Sequence, residues 1–187
     1  MNDRFSPEFF RQPVVDIARA LIGATLTLDG VGGTIVETEA YDPEEPASHS
    51  FRGPTARNRA MFGPPGHAYV YLCYGVHWCL NVVCGEEGHG AAVLLRALAP
   101  ELGLTRMQER RGQSGPAGLA NGPGRLCQAL GVTRGHDGLD LQSVPFELLP
   151  PKASPDICVG PRIGITKAVE LPWRFGLAGS PFLSRRF

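Results

Sequence analysis

Lysine is nearly absent from this sequence: Lys152 and Lys167 are the only two, and the other basic residues are all arginine. Arginine forks suit phosphate oxygens, but genomic base composition produces the same bias, so the ratio alone assigns nothing. Cysteines are few and odd in number, at Cys73, Cys79, Cys84, Cys127 and Cys158, with no C-x-x-C pair. That count and spacing support neither a disulfide framework nor a zinc ribbon. Most lie in apolar runs such as "YVYLCYG" and "RLCQAL", which reads as buried reduced thiols. No apolar run approaches the ~20 residues a membrane span needs. The opening "MNDRFSPEFFRQPVV" lacks the basic-then-apolar order of a signal peptide, so a cytoplasmic protein is expected. Repeats and low-complexity tracts are missing too, and net charge is zero, which argues mildly against nucleic acid.

What is present is an ordinary globular composition, 43% hydrophobic and 19% charged over 187 residues. At that length one domain, spanning 1–187, can bury about 70% of its unfolded surface. The zero net charge hides an uneven distribution. Residues 1–51 carry three Arg against nine acidic residues, residues 52–134 nine Arg against four, and residues 135–187 six Lys/Arg against five. The middle third is therefore a basic block on a neutral chain.

Local patterns give an α+β order. "PVVDIARALIG" has helical apolar spacing, with Pro13 at a tolerated first position and Gly23 as a stop. "ATLTLDGVGGTIVETEAY" reads as two strands joined around "DGVGG". Residues 42–66 are loop-like, and their acidic part is expected to be solvated. "HAYVYLCYG", "VHWCLNVVCG" and "AAVLLRALAP" read as a meander of antiparallel strands. "PELGLTRMQERRG" and "GPGRLCQALG" read as helices, and "FELLP", "RIGITKA" and "LPWRFGL" as short strands. The expected fold is a single α+β domain built on a curved antiparallel β-sheet, with a protruding β-hairpin and short flanking helices.

Three features could carry chemistry. In "IVETEAYDPEEPASHS", Glu37, Glu39 and Tyr41 fall on one face of a strand, which is a poor way to build a core. Arg96 sits in an otherwise apolar strand, where it is costly unless paired; Glu37 or Glu39 is the natural partner. On the hairpin from Tyr69 to Val83, a turn centred near Val76 would put Tyr71 opposite Asn81. A ring beside an amide can stack on a flat heterocycle and read its edge. Tyr74 then lies near the tip. Each tyrosine and glutamate taken singly is more often a plain strand residue.

Taken together, "VETEAY", "HSFRGPTARNRAMFGPPGHAYVYLCYGVHWCLNVV", "AAVLLRAL", "GPGRLCQALG" and "GSPFLS" resemble the alkyladenine DNA glycosylase family, also called methylpurine or 3-methyladenine DNA glycosylases. The resemblance runs in order from about Pro13 to Ser184. It implies a base-excision-repair enzyme that flips damaged purines (alkylated, deaminated or etheno adducts) out of duplex DNA and hydrolyses the N-glycosidic bond, leaving an abasic site. Glu39 resembles the general base that activates the water, and Arg96 the arginine beside it. Tyr41, His49 and Tyr71 resemble the walls that sandwich the flipped base. Asn81 resembles the amide that discourages guanine, and Tyr74 the side chain that fills the gap in the duplex. Arg57, Arg59 and Arg125 fall in segments that lie near the DNA backbone in the family. The resemblance implies double-stranded DNA as partner, a monomer, no cofactor and no metal.

Some departures stand out: Thr55-Ala56-Arg57-Asn58 stands where many relatives read Thr-Pro-Arg-Asn, Arg125 stands where Lys is common, and help from a long basic tail before the fold is not expected. A lyase would need an amine nucleophile, and Lys152 and Lys167 lie outside the strong motifs, so a monofunctional hydrolase is expected. Three other readings compete with this one. An inactive DNA-damage binder should lack Glu39. A zinc nucleobase deaminase needs H-x-E with P-C-x-x-C, which does not occur. A sugar hydrolase could use Glu37 and Glu39 as a carboxylate pair roughly 7 Å apart at Cα, but the aromatic hairpin suits a purine better.

Overall fold

In the computed structural model, which describes residues 4–187, the apolar stripe of residues 14–21 becomes helix α1 (Val14–Ala20). Val14, Ile17 and Ala18 turn inward from it. The chain then forms β1 (Thr25–Leu28) and β2 (Val31–Tyr41), antiparallel neighbours. The turn between them is only Asp29-Gly30, both at positive φ, the two-residue form that matches strand twist. Gly32 and Gly33, which the sequence reading assigned to this turn, lie inside β2. An added Cβ there would sit 1.9 Å from the Leu26 carbonyl oxygen or from that of Ala99, so close backbone approach explains both glycines.

The remaining strands are β3 (Ala68–Cys73), β4 (His77–Cys84), β5 (Ala91–Leu102), β6 (Phe146–Leu149), β7 (Ile157–Gly160) and β8 (Arg174–Leu177). All pair antiparallel in one sheet of order β3-β4-β5-β2-β1-β6, with β8 bridging β2 and β7. Helices α2 (Leu104–Arg111) and α3 (Pro123–Leu130) join α1 in covering one face over a core that includes Ile35, Val70, Leu80, Leu95 and Leu126. The structure is thus α+β on a curled antiparallel sheet, as the patterns implied. "RIGITKA" is not a strand; residues 162–168 form an irregular loop between β7 and β8. No helix among the described residues is long and apolar enough to cross a membrane.

Two irregularities decide what the second face of the sheet carries. Along β2 and β5 the register steps from Ile35↔Leu98 to Glu37↔Ala97 and then to Thr38↔Leu95, which leaves Val36 and Arg96 without opposite numbers. An extra residue reverses the alternation of side chains. Before Val36 the odd-numbered Val31 and Ile35 enter the main core. After it the even-numbered positions do: Ala40 joins the core and Thr38 donates to the Ala18 carbonyl. Glu37, Glu39 and Tyr41 are thereby turned to the opposite face.

The hairpin β3–β4 runs past the sheet, because β4 pairs with β5 only from Asn81 to Cys84. Its register is Tyr69↔Asn81, Tyr71↔Cys79 and Cys73↔His77. The turn therefore centres on Gly75, and Asn81 faces Tyr69 rather than Tyr71. The slip is two residues, so the predicted facing of rings and amide survives while the pairing does not.

Candidate active site

On the sheet face opposite the main core, an open cleft of about 780 Å³ lies between the hairpin, the loop after β2, the start of α3 at Pro123 and the loop of residues 163–167. Of the residues expected at the site, Tyr41, His49, Arg57, Tyr71, Tyr74, Asn81 and Arg96 line it. Glu39 lies directly behind Tyr41 and Arg96 with no exposed surface. Arg59 and Arg125 do not line it; both are exposed, and Arg125 donates to Oδ1 of Asn121 at 2.9 Å.

The Glu39 carboxylate is held from three sides. Oε2 accepts from the Tyr41 hydroxyl at 2.9 Å and from Nη1 of Arg96 at 3.2 Å. Oε1 accepts from the Ile163 backbone N–H at 2.7 Å. Burial raises its pKa above the ordinary value, and Arg96, the Ile163 N–H and Tyr41 pull the other way. Tyr41 is pushed well up by burial and by Glu39, so it stays a neutral donor. Arg96 is held charged: burial opposes the charge, but Glu39 and Glu37 outweigh it.

Glu37 has a separate task. Its Oε1 accepts from Nε of Arg96 at 3.1 Å, from Nη1 of Arg174 at 3.2 Å and from the Ser184 hydroxyl at 2.8 Å, and its Oε2 accepts from the Ser184 N–H. With two buried arginines and Ser184 occupying it, Glu37 is no partner for a two-carboxylate sugar hydrolysis.

The aromatic wall is built on β3. The Tyr71 ring meets the His49 ring edge-on at 4.6 Å between centroids and lies 5.3 Å from Tyr69. Nδ1 of His49 is 3.0 Å from the Tyr69 hydroxyl. Partial burial and then Arg57 lower the His49 pKa, so the ring is neutral at pH 7. Asn58 fixes this loop, donating from Nδ2 to the His49 carbonyl at 2.9 Å. Asn81 donates from Nδ2 to the Tyr69 carbonyl at 3.0 Å, which orients the amide and leaves Oδ1 for the cleft. At the tip, Tyr74 is 88% exposed at φ +51°. A bulky side chain in that backbone region is strained.

Several residues here escaped the sequence reading. The acidic loop is not simply solvated: Glu45 is buried against Arg162. Lys167, set aside from the motifs, lines the cleft. Arg162 and Arg174 could have been found by the reasoning that picked out Arg96, since each is an arginine in an apolar stretch. The Ile163 N–H leaves no sequence signal. No group of three or more His, Cys, Asp or Glu stands together as a metal site among the described residues.

The sequence matches the family model of methylpurine-DNA glycosylase over residues 8–181. The chain belongs to that family. Among the methylpurine-DNA glycosylase relatives, a protein of Nitrosospira multiformis is 60% identical over 95% of this chain and 92% of its own length. One of Rhizobium meliloti is 58% identical over 96% of each, and one of Rhodopseudomonas palustris is 56% identical over all of this chain and 94% of its own. All three bear the name "Putative 3-methyladenine DNA glycosylase". Family membership makes the chain a DNA glycosylase, a hydrolase of DNA repair.

Proposed function

We propose that this glycosylase acts on duplex DNA, rotates a damaged purine nucleotide into the cleft and hydrolyses its N-glycosidic bond with a water activated by Glu39. The observation that carries the reading is a buried carboxylate with two donors on Oε2 and one on Oε1, set at the back of an aromatic cleft. Oε1 keeps a lone pair with which to take a proton from water.

A base inside a duplex is out of reach, and extruding it costs a few kcal/mol, least for damaged or mismatched bases. Tyr74, solvent-facing at the tip of the hairpin, fills the gap left in the stack and offsets part of that cost. The extruded purine lies among Tyr41, His49 and Tyr71, and Asn81 opposes the exocyclic amino group of guanine. Arg57, at the rim, meets the phosphate backbone; Arg59 and Arg125 supply further backbone contacts outside the cleft.

In the chemical step the water oxygen bonds to C1′ of the deoxyribose as the bond from C1′ to the purine nitrogen breaks. The purine leaves with the electron pair, and the water proton passes to Glu39. The transition state is oxocarbenium-like, so an ionised Glu39 stabilises its charge. Arg96 favours that ionised form. Alkylated, cationic purines leave as neutral bases, whereas neutral purines need a proton on the leaving group. The products are a free base and an abasic site. The enzyme works as a monomer and makes no covalent intermediate with the sugar.

The test is Glu39→Gln with a duplex carrying 1,N6-ethenoadenine. The variant should bind the duplex and release no base in a single turnover. Release at the wild-type rate would sink the mechanism. A panel of 3-methyladenine, 7-methylguanine, hypoxanthine and ethenoadenine then defines the damage spectrum.

A further inference from the structure

One wall of the cleft is the irregular segment 162–168, yet it supplies a hydrogen bond on which Glu39 depends. Its anchor is Arg162, whose side chain has no exposed surface. Nη1 donates to Oε1 of Glu45 at 2.6 Å and to the Ala40 carbonyl at 2.9 Å; Nη2 donates to Oε2 of Glu45 at 3.0 Å and to the Ala168 carbonyl at 3.3 Å. The same guanidinium lies 4.7 Å from the centre of the Tyr41 ring and 5.4 Å from that of Trp173. The next residue, Ile163, donates its N–H to Glu39.

A bidentate pair of this kind fixes direction as well as distance. Well-packed apolar residues could hold a loop down at no loss of stability, so holding power alone does not explain two buried charges here. Their geometry ties three parts of the site together: the loop that carries the Ile163 N–H, the ring of Tyr41, and the segment through Glu45 that leads to His49.

We propose that Arg162 and Glu45 form a positioning latch for the reaction: together they hold the Ile163 N–H on Oε1 of Glu39 and the Tyr41 hydroxyl on Oε2. Neither residue touches substrate. The inference rests on Glu39 being the base. The charged and titratable groups facing Glu39 are Glu37 and Tyr41 on β2, Arg96 on β5 and Arg174 on β8, and Arg162 in the loop acts on Tyr41. Of these, Arg96, Glu37 and Arg174 stay in place when the latch is cut. The change therefore falls on the Ile163 and Tyr41 donors, both of which favour ionised Glu39. Cutting the latch makes Glu39 harder to ionise, and the acid limb of the rate moves to higher pH.

Two variants test this in the full-length protein: Glu45→Gln, and the double variant Glu45→Gln with Arg162→Met. The second removes both buried charges and so guards against unfolding by an uncompensated arginine. For folded protein, checked by thermal melting, the single-turnover rate at its high-pH plateau should fall roughly tenfold or more, as expected for a misplaced reacting group. The acid limb should move to higher pH. Affinity for lesion DNA should change less than the rate, a separation that general loosening of the fold would not produce. A folded double variant with the wild-type plateau and acid limb overturns the latch. The two readings fail separately: an active Glu39→Gln enzyme removes the base, whereas an inactive one beside an unaltered latch variant removes the latch alone.

Discussion

Arg96 donates from Nη1 to Oε2 of Glu39 at 3.2 Å, and it does so from a position in β5 that has no register partner. The bulge frees the side chain to span Glu39 and Glu37 at once, where a regular strand would set it opposite a single residue. An irregularity in the ladder thus converts a strand arginine into the counter-ion of the proposed base.

The pH dependence of base release follows from that contact. Burial holds the Glu39 carboxyl above its usual 4.5, and Arg96, Ile163 and Tyr41 only partly offset it. 7-Methylguanine is cationic and leaves without a proton, so its excision should show one acid limb and no basic-limb requirement for a general acid. In the proposed reaction the working form is the carboxylate, so the rate should fall as pH drops, by about tenfold per unit below the Glu39 pKa, with a midpoint above the ordinary 4.5. Single-turnover rates across pH measure it. A profile level down to pH 4.5 would mean that Glu39 is not the titrating group.

Glu37→Gln should be costly rather than a silent control. From sequence, Glu37 is one of two candidate carboxylate partners for Arg96. The structure gives it two buried arginines and Ser184. Removing the charge leaves Arg96 and Arg174 under-compensated, and breaking a buried pair in this way typically costs about 3–5 kcal/mol. Urea denaturation should show that loss. Base release should also slow, because Arg96 loses the contact that aims it. Wild-type stability would show that Glu39 and Ser184 suffice to hold both arginines.

How far the sequence could be read depended on whether the signal was local. The apolar stripe of α1 and the alternation in β3 are properties of neighbouring residues, and each appears where its pattern placed it; the turn falls within "DGVGG" but uses only Asp29 and Gly30. The facing of Glu37, Glu39 and Tyr41 was legible because all three lie beyond the Val36 bulge, where period two holds again. The bulge itself was not legible, since it arises from pairing with β5. The hairpin register was missed by two residues because "CYGVH" offers more than one place to turn. Glu45 and the Ile163 N–H were missed because their partners lie more than a hundred residues away, whereas Arg162 was missed although the burial argument used for Arg96 applies to it.

Lys167 reopens a question that the sequence had closed. As a lysine lining the cleft, it is an amine within the proposed site. If it attacked C1′, the imine formed would be trapped by borohydride as a stable protein–DNA adduct. The hydrolytic reading expects no adduct after incubation with lesion duplex and sodium borohydride, assayed by denaturing gel. An adduct lost in Lys167→Ala would replace the monofunctional assignment with a lyase.

Tyr74→Gly should separate stability from function. Tyr74 takes φ +51° with Gly75 at φ +70°, and the Val76 N–H closes the turn on the Cys73 carbonyl. Glycine tolerates this conformation without the Cβ penalty, so relief of the strain should raise stability by about 1 kcal/mol or be neutral once unfolded-state entropy is counted. The side chain is 88% exposed, so little packing is lost in exchange. Binding to lesion duplex should nonetheless weaken, because nothing then fills the gap in the stack, while the chemical step at saturating enzyme should change less. Thermal melting, an affinity titration with lesion DNA and single-turnover kinetics on the same preparation read the three quantities. A variant that melts no lower and binds lesion DNA as tightly as wild type would leave the strained tyrosine without the wedge role.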